Sequence, residues 1–215
     1  MAQVAILLPA MRPQNIAGVV QSIQESTEPG SYHIVVLATG DCAEVARSLP
    51  VTLIDDGGGT WPQRINRGYR ETTEPYIGTG ADDVWFMPGW FEAARIAMNQ
   101  LPNGSGVVGL NDCYNPIGNH FLLSRDYVET FGGSMNEPGV AVCELYQHQY
   151  CDDDLRATAK FHGRWIMAMD AKIDHRHVGR GMAPMDETYS IGAASGGQGL
   201  AVFQSRSHLW ECAPA

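Results

Sequence analysis

Short apolar runs alternating with amphipathic helical patterns constrain this chain more than any other feature of its sequence. Val4 to Pro9 (VAILLP) is a continuous apolar run closed by proline and reads as a buried strand. Asn15 to Ser26 follows, with Ile16, Val19, Val20 and Ile23 at helical spacing. His33 to Ala38 reads as a second strand, and Asp41 with Glu44 has the spacing of a capping box opening a helix to Ser48. Val51 to Ile54 is a third strand, stopped by Asp55-Asp56-Gly57-Gly58-Gly59. Thr60 and Gln63, with Pro62 in the first turn, open a helix toward Arg70. Tyr76 to Gly80 is a fourth strand, delivering Asp82 and Asp83 at its carboxyl end. Strands apolar on both faces, each followed by a helix, predict an α/β fold with an open, mostly parallel sheet flanked by helices.

The second half is less regular. Val107 to Leu110 and His120 to Leu123 read as strands, and Ser124 as the cap of a short helix ended by Gly132-Gly133. A helix beginning at the Asp152-Asp153-Asp154 run continues to Phe161 and stops at Gly163. Trp165 to Met169 and Ile173 to His177 read as two short strands. From Gly179 onward the chain is rich in glycine and small residues, and Gly192 to Gly199 reads as a mobile loop. No repeat and no long linker interrupts the 215 residues, so one domain is expected.

Charge and cysteine usage exclude some classes. Against 14 Lys and Arg stand 24 Asp and Glu, a net charge of -10, which disfavours a nucleic-acid or anionic-membrane surface. The five cysteines, Cys42, Cys113, Cys143, Cys151 and Cys212, are odd in number and form no CxxC pair. Reduced thiols in a soluble, cytoplasmic protein are expected. The amino-terminal apolar run has no basic leader and is too short for a membrane span.

In open α/β sheets ligands bind beyond the carboxyl ends of the strands. Three groups belong there. Asp82 and Asp83 form a carboxylate pair suited to a hard divalent cation, against the plainer reading of a solvated turn. Asp152, Asp153 and Asp154 read in isolation as dipole capping of a helix start, but three in a row exceed what capping requires, and a carboxylate there could accept a proton from a hydroxyl. His175 and His177, on one side of a strand, would supply an imidazole to a mostly oxygen metal site. His33, His120, His148, His162 and His208 read as structural, and Trp85 and Trp90 as core rather than a sugar-stacking wall. Asp56-Gly57-Gly58-Gly59-Thr60 lacks the lysine of a P-loop, and no GxGxxG follows the first strand.

The order of these pieces resembles the family 2 glycosyltransferases of the GT-A fold, over nearly the whole chain. The resemblance starts at LLPAMRPQNIAGVVQSI, continues through RINRGYRETTEPYIGTGADDVWFMPGW and closes with YCDDDLRATAKFHG followed by DHRH. It implies a nucleotide-binding half over about 1–110, an acceptor half over about 111–215, and an inverting, metal-dependent hexosyl transfer. By position it places Asp82 and Asp83 in the metal and nucleotide motif, with Ala81 where that motif has its first aspartate, and Asp83 as the metal ligand. Asp152 falls at the catalytic base, with Asp153 and Asp154 as the alternatives, and His175 or His177 at the late metal-binding histidine. Pro9, Arg12, Arg64 and Asn66 lie where the donor nucleotide is cradled, and Asp41 stands slightly after the usual base-contacting aspartate. The implied cofactor is a divalent metal, Mn2+ or Mg2+, and the implied donor a nucleotide sugar, a UDP-sugar in the first instance. The acceptor is left open among protein, glycan, small molecule and modified DNA, the last through Arg64, Arg67 and Arg70. A chain this compact suits a bacterial or phage enzyme. Two alternatives remain: a catalytically inactive relative acting as a nucleotide- or sugar-binding or assembly protein, and a sugar nucleotidyltransferase, which would need a glycine-rich turn where PAMRPQN stands.

Overall fold

The computed structural model describes residues 2–114 and 117–211. The first half alternates strand and helix: β1 (Val4–Pro9), α1 (Pro13–Ser26), β2 (Tyr32–Ala38), α2 (Gly40–Arg47), β3 (Thr52–Asp55), α3 (Trp61–Arg70) and β4 (Tyr76–Thr79). A short β5 (Val84–Phe86) and α4 (Trp90–Met98) follow, then β6 (Val107–Asn111), β7 (Phe121–Ser124) and α5 (Arg125–Thr130). The chain ends with α6 (Cys151–Phe161), β8 (Trp165–His175), α7 (Glu187–Ala194), α8 (Gly196–Arg206) and α9 (His208–Glu211).

The strands form one sheet in the order β3-β2-β1-β4-β7-β6-β8-β5. β1, β2, β3 and β4 run parallel, as do β6 and β8, while β7 and β5 are antiparallel to their neighbours. Alternate residues of each strand face opposite layers. Val4, Ile6 and Leu8 pack with α1, α2 and α4, and Ala5 and Leu7 pack with α3, α5 and α6. Every β1 residue is buried, which is why its pattern is continuous rather than alternating. Gly68 lets α3 close on β1, since a Cβ there would sit 2.9 Å from Leu7 Cδ2.

Several local expectations hold. The Thr60–Gln63 capping box is formed in both directions, and Ser124 accepts from the Tyr127 amide. Others do not. Gly40 bends the backbone to φ 56°, so α2 begins one residue before Asp41, and its N-cap Thr39 makes no side-chain bond. The two short strands expected after Gly163 are a single strand, β8, whose register against β6 shifts between Leu110 and Asn111. Residues 192–199, read as a mobile loop, are helical in α7 and α8 apart from Ser195, the turn between them. Cys42, Cys113, Cys143 and Cys151 are free, and Cys212 lies outside the described residues. Among the described residues no helix is long and apolar enough to cross a membrane.

The carboxyl-terminal helices are tied to α6 by a buried ion pair. Arg206 Nε donates to Asp154 Oδ2 at 2.6 Å, Tyr146 donates its hydroxyl to the same oxygen at 2.8 Å, and Asp154 is fully buried. Removing one partner strands the other charge without solvent, so Asp154→Ala is expected to cost about 3–5 kcal/mol in urea unfolding. The paired replacement Asp154→Leu with Arg206→Met should cost clearly less than Asp154→Ala alone.

Candidate active site

The carboxyl ends of β1 and β4 meet at a buried charge cluster. Asp82 Oδ2 accepts the backbone amides of Met11 and Arg12, the second at 2.6 Å, and Asp82 Oδ1 accepts Arg12 Nη1 at 2.7 Å. Arg12 also donates Nε to Asp186 Oδ2 at 2.6 Å and Nη2 to Asp186 Oδ1 at 3.3 Å, in the fork geometry that guanidinium offers carboxylate or phosphate. Its guanidinium lies 4.0 Å from the Tyr189 ring centroid. Burial works against the charge on Arg12, but Asp186 and Asp82 outweigh it and raise its pKa. Burial raises the Asp82 carboxyl despite its hydrogen bonds.

Asp83 faces a different set. Tyr189 donates its hydroxyl to Oδ2 at 2.8 Å, and His175 Nε2 stands 3.6 Å from Oδ1. Burial pushes this carboxyl up, but His175 and Tyr189 more than compensate, holding it well below the usual carboxylate range. The His120 ring packs edge-on against His175 at 5.2 Å. Its burial, together with the charge of His175, lowers its pKa to about 3.

These groups line one cavity of about 820 Å³, which Pro9, Arg12, Arg64, Asp82, Asp83 and Asp152 also border. Asp153, His175 and His177 reach it as well. Arg64 is buried, donates Nη1 to the Ala10 and Leu37 carbonyls, and lies 2.8 Å from Asp56. Asp152 sits at the amino end of α6, where burial and the adjacent Asp153 raise its pKa to about 6. Asp153 is paired with Arg156.

Four expected site residues are placed otherwise. Asp154 is sealed inside the α6–α8 contact and does not line the cavity. Asp41 is exposed on α2, away from the cavity, because the helix starts early. Asn66 is fully buried: its Oδ1 accepts the Ala141 and Val142 amides, and its Nδ2 donates to the Val142 carbonyl and to Glu144. It holds the 141–144 segment and does not line the cavity. His177 lies beyond the end of β8, so the same-face argument with His175 lapses; its Nδ1 accepts the Gly179 amide. The arginines of α3 make no common patch either, since Arg64 is buried while Arg67 and Arg70 pair with Glu71 and Glu144.

Cavity-lining residues that the sequence did not single out include Trp61, Asn119, His120, His148 and Tyr189, and Asp186 joins the cluster through its bond to Arg12. Asp186 and Tyr189 are held by remote partners, 174 and 106 residues away, so no spacing marks them. Trp90 is core, as its sequence context indicates, and Trp85 stacks under Arg176 outside the cavity.

Among the described residues no group of three or more His, Cys, Asp or Glu side chains is arranged to hold a metal ion. Asp83 Oδ1 and His175 Nε2 lie 3.6 Å apart, the pair of groups in the cavity that could share a cation with other ligands.

Comparison with known proteins bears on the fold. Neither a protein-family model nor a curated protein matches the chain. Solved structures do. A mannosyltransferase from Pyrobaculum calidifontis, in complex with GDP-Man and Mn2+, superposes with a TM-score of 0.63 at 17% identity, covering 81% of this chain and 57% of its own. Residues 1–349 of S. aureus TarS with UDP give 0.59 at 10% identity, covering 80% and 59%. Glucosyl-3-phosphoglycerate synthase from Mycobacterium tuberculosis, with Mn2+, UDP and phosphoglyceric acid, gives 0.63 at 14% identity, covering 95% and 78%. The fold is that of the GT-A glycosyltransferases. The chain spans less than two thirds of the length of the first two structures.

The role assigned to Asn66 has a direct check. Asn66→Ala leaves the buried Ala141 and Val142 amides unpaired, and should lower unfolding stability by about 1–3 kcal/mol in a denaturant titration. A change in nucleotide binding with unchanged stability would return Asn66 to the ligand site.

Proposed function

We propose that this chain is a glycosyltransferase that moves a sugar from a nucleoside-diphosphate donor to an acceptor hydroxyl, with inversion at the anomeric carbon. One observation carries the reading: Asp152, with its pKa raised to about 6, and the Arg12–Asp82–Asp83 cluster border the same cavity. The neighbouring GT-A structures support it, since they are described with GDP-Man or UDP and with Mn2+.

In this mechanism Asp152 takes the proton of the acceptor hydroxyl as the oxygen bonds to the anomeric carbon. The carbon–oxygen bond to the diphosphate breaks, and the leaving nucleoside diphosphate keeps the electron pair. Pro9, Arg12, Arg64 and Asp82 form the donor side of the cavity. For Arg12 to reach a phosphate, the donor must replace the forked carboxylate of Asp186. Asp83 and His175, with His177 nearby, would hold a divalent cation, Mn2+ or Mg2+, which supplies charge neutralisation to the leaving diphosphate. The cavity's own charges call for such a cation. Arg12 and Arg64 are already matched by Asp82, Asp186 and Asp56, while Asp83 and Asp152 add negative charge.

The contacts of Asp186 with Arg12 and of Tyr189 with Asp83 favour a second reading, a nucleotide- or sugar-binding relative without turnover. Donor hydrolysis in the presence of Mn2+ separates the two readings, because a binding protein shows none.

Removing the base should cost about 10²–10⁴-fold in turnover, so Asp152→Asn is expected to lose nearly all transfer while retaining donor affinity. The carboxylate form is the active one. The rate should therefore fall as pH drops through about 6 and level off above it. A profile flat across this range would remove Asp152 from the role. Donor binding is read by thermal unfolding against UDP, GDP and their sugars, with and without Mn2+. A ligand at ~100 times its dissociation constant adds about 2.7 kcal/mol, and the shift should require the metal.

A further inference from the structure

The cavity has a second side, away from the Arg12–Asp82 clamp, whose His120 ring packs against His175. Arg156, at the first turns of α6, pairs with Asp153 and donates Nη1 to the Ile117 carbonyl at 2.7 Å. This clips the segment before β7 onto the helix end that carries Asp152. Asn119 and His120 stand on that segment and line the cavity, as do Gln147, His148 and Gln149 from the segment before α6. Asn119 Oδ1 and His120 Nδ1 are buried polar atoms with no hydrogen-bond partner, and His120 is only 6% exposed. Buried polar atoms are rarely left unpaired, and two neighbouring ones beside the cavity mark a wall whose polar side chains are not committed to the fold and are free to turn toward a ligand.

The chemistry of that ligand follows from what the wall offers. Among the described residues, the arginines lining the cavity are Arg12 and Arg64, and carboxylates already match both. The arginines nearby are taken as well: Arg156 by Asp153, and Arg176 and Arg180 by Asp174. Among the described residues these pairs leave no lining arginine uncompensated for an anionic acceptor, and Asp152 would repel one. Amides and imidazoles remain, groups that between them donate and accept. A sugar hydroxyl also does both.

Resting on the glycosyltransferase reading, we propose that the Asn119–His120 wall is an acceptor subsite selecting a neutral, hydroxyl-rich acceptor, a sugar or polyol, over a carboxylated or phosphorylated one. Its neutrality contrasts with the phosphoglyceric acid found with the mycobacterial synthase.

The test is saturation-transfer NMR on the full chain, loaded with Mn2+ and whichever nucleoside diphosphate stabilises it. The probes are methyl glucoside, methyl mannoside and maltose against glucuronate and 3-phosphoglycerate. Neutral glycosides should give transfer and the anions none. Asn119→Ala and His120→Ala should each weaken the glycoside signal about tenfold, the equivalent of one lost hydrogen bond. The nucleotide-induced thermal shift reports whether each variant is folded, and Asn119→Ala serves if His120→Ala is not. Equal or stronger binding of an anion overturns the subsite, as does glycoside binding unchanged in Asn119→Ala, or no glycoside signal with nucleotide bound. Absence of any nucleotide shift in the unmodified chain instead overturns the glycosyltransferase reading beneath it.

Discussion

The clamp between Asp82 and Arg12 organises the whole site. Both groups are buried, and neither charge is tolerable alone at that depth. Asp82 meets its need with the amides of Met11 and Arg12 and with the guanidinium, which locks the exit of β1 to the exit of β4. The far side of the same guanidinium holds Asp186, and the Tyr189 ring stacks on it. A single arginine thus links the first strand, the fourth strand and the seventh helix. Asp83 follows Asp82 directly in the chain, so its position facing His175 and Tyr189 depends on this clamp.

Charge matching explains how so acidic a cavity is stable. Each buried carboxylate around the clamp has a donor: Arg12 for Asp82, Tyr189 for Asp83, and Arg206 with Tyr146 for Asp154 deeper in the α6–α8 contact. The arginines are used up in this task. Facing the cavity besides these pairs are the carboxylates of Asp83 and Asp152 and the amides and imidazoles of the segments before β7 and α6.

The strands of the first half were legible because burial on both faces writes itself as an unbroken apolar run, as in Val4–Pro9 and in the apolar stretch of Tyr32–Ala38. The Thr60–Gln63 box was legible because both its partners lie within one turn. Asp41 with Glu44 has the same spacing, yet Gly40 moved the helix start and left Asp41 in solvent. The glycines of residues 192–199 read as flexibility, but two of them serve close contact. A Cβ at Gly199 would lie 2.4 Å from the Gln149 carbonyl oxygen, and one at Gly196 would lie 2.8 Å from Gln149 Oε1. Those helices pack where larger residues would not fit, and local propensity carries no trace of that.

By itself the sequence determined the alternation of strands and helices, the parallel character of the first strands, and the delivery of Asp82 and Asp83 to the carboxyl end of β4. These follow from local pattern and from the direction in which a parallel strand ends. Tertiary structure alone decided that Asp152 and Asp153 border the cavity while Asp154 is sealed against Arg206, and that Asn66 holds a loop. It also decided that Asp186 and Tyr189 complete a cluster begun at residue 12. The physical reason is shared: each depends on which distant group satisfies a buried charge or a buried amide, and a chain pattern encodes periodicity but not the identity of a remote partner.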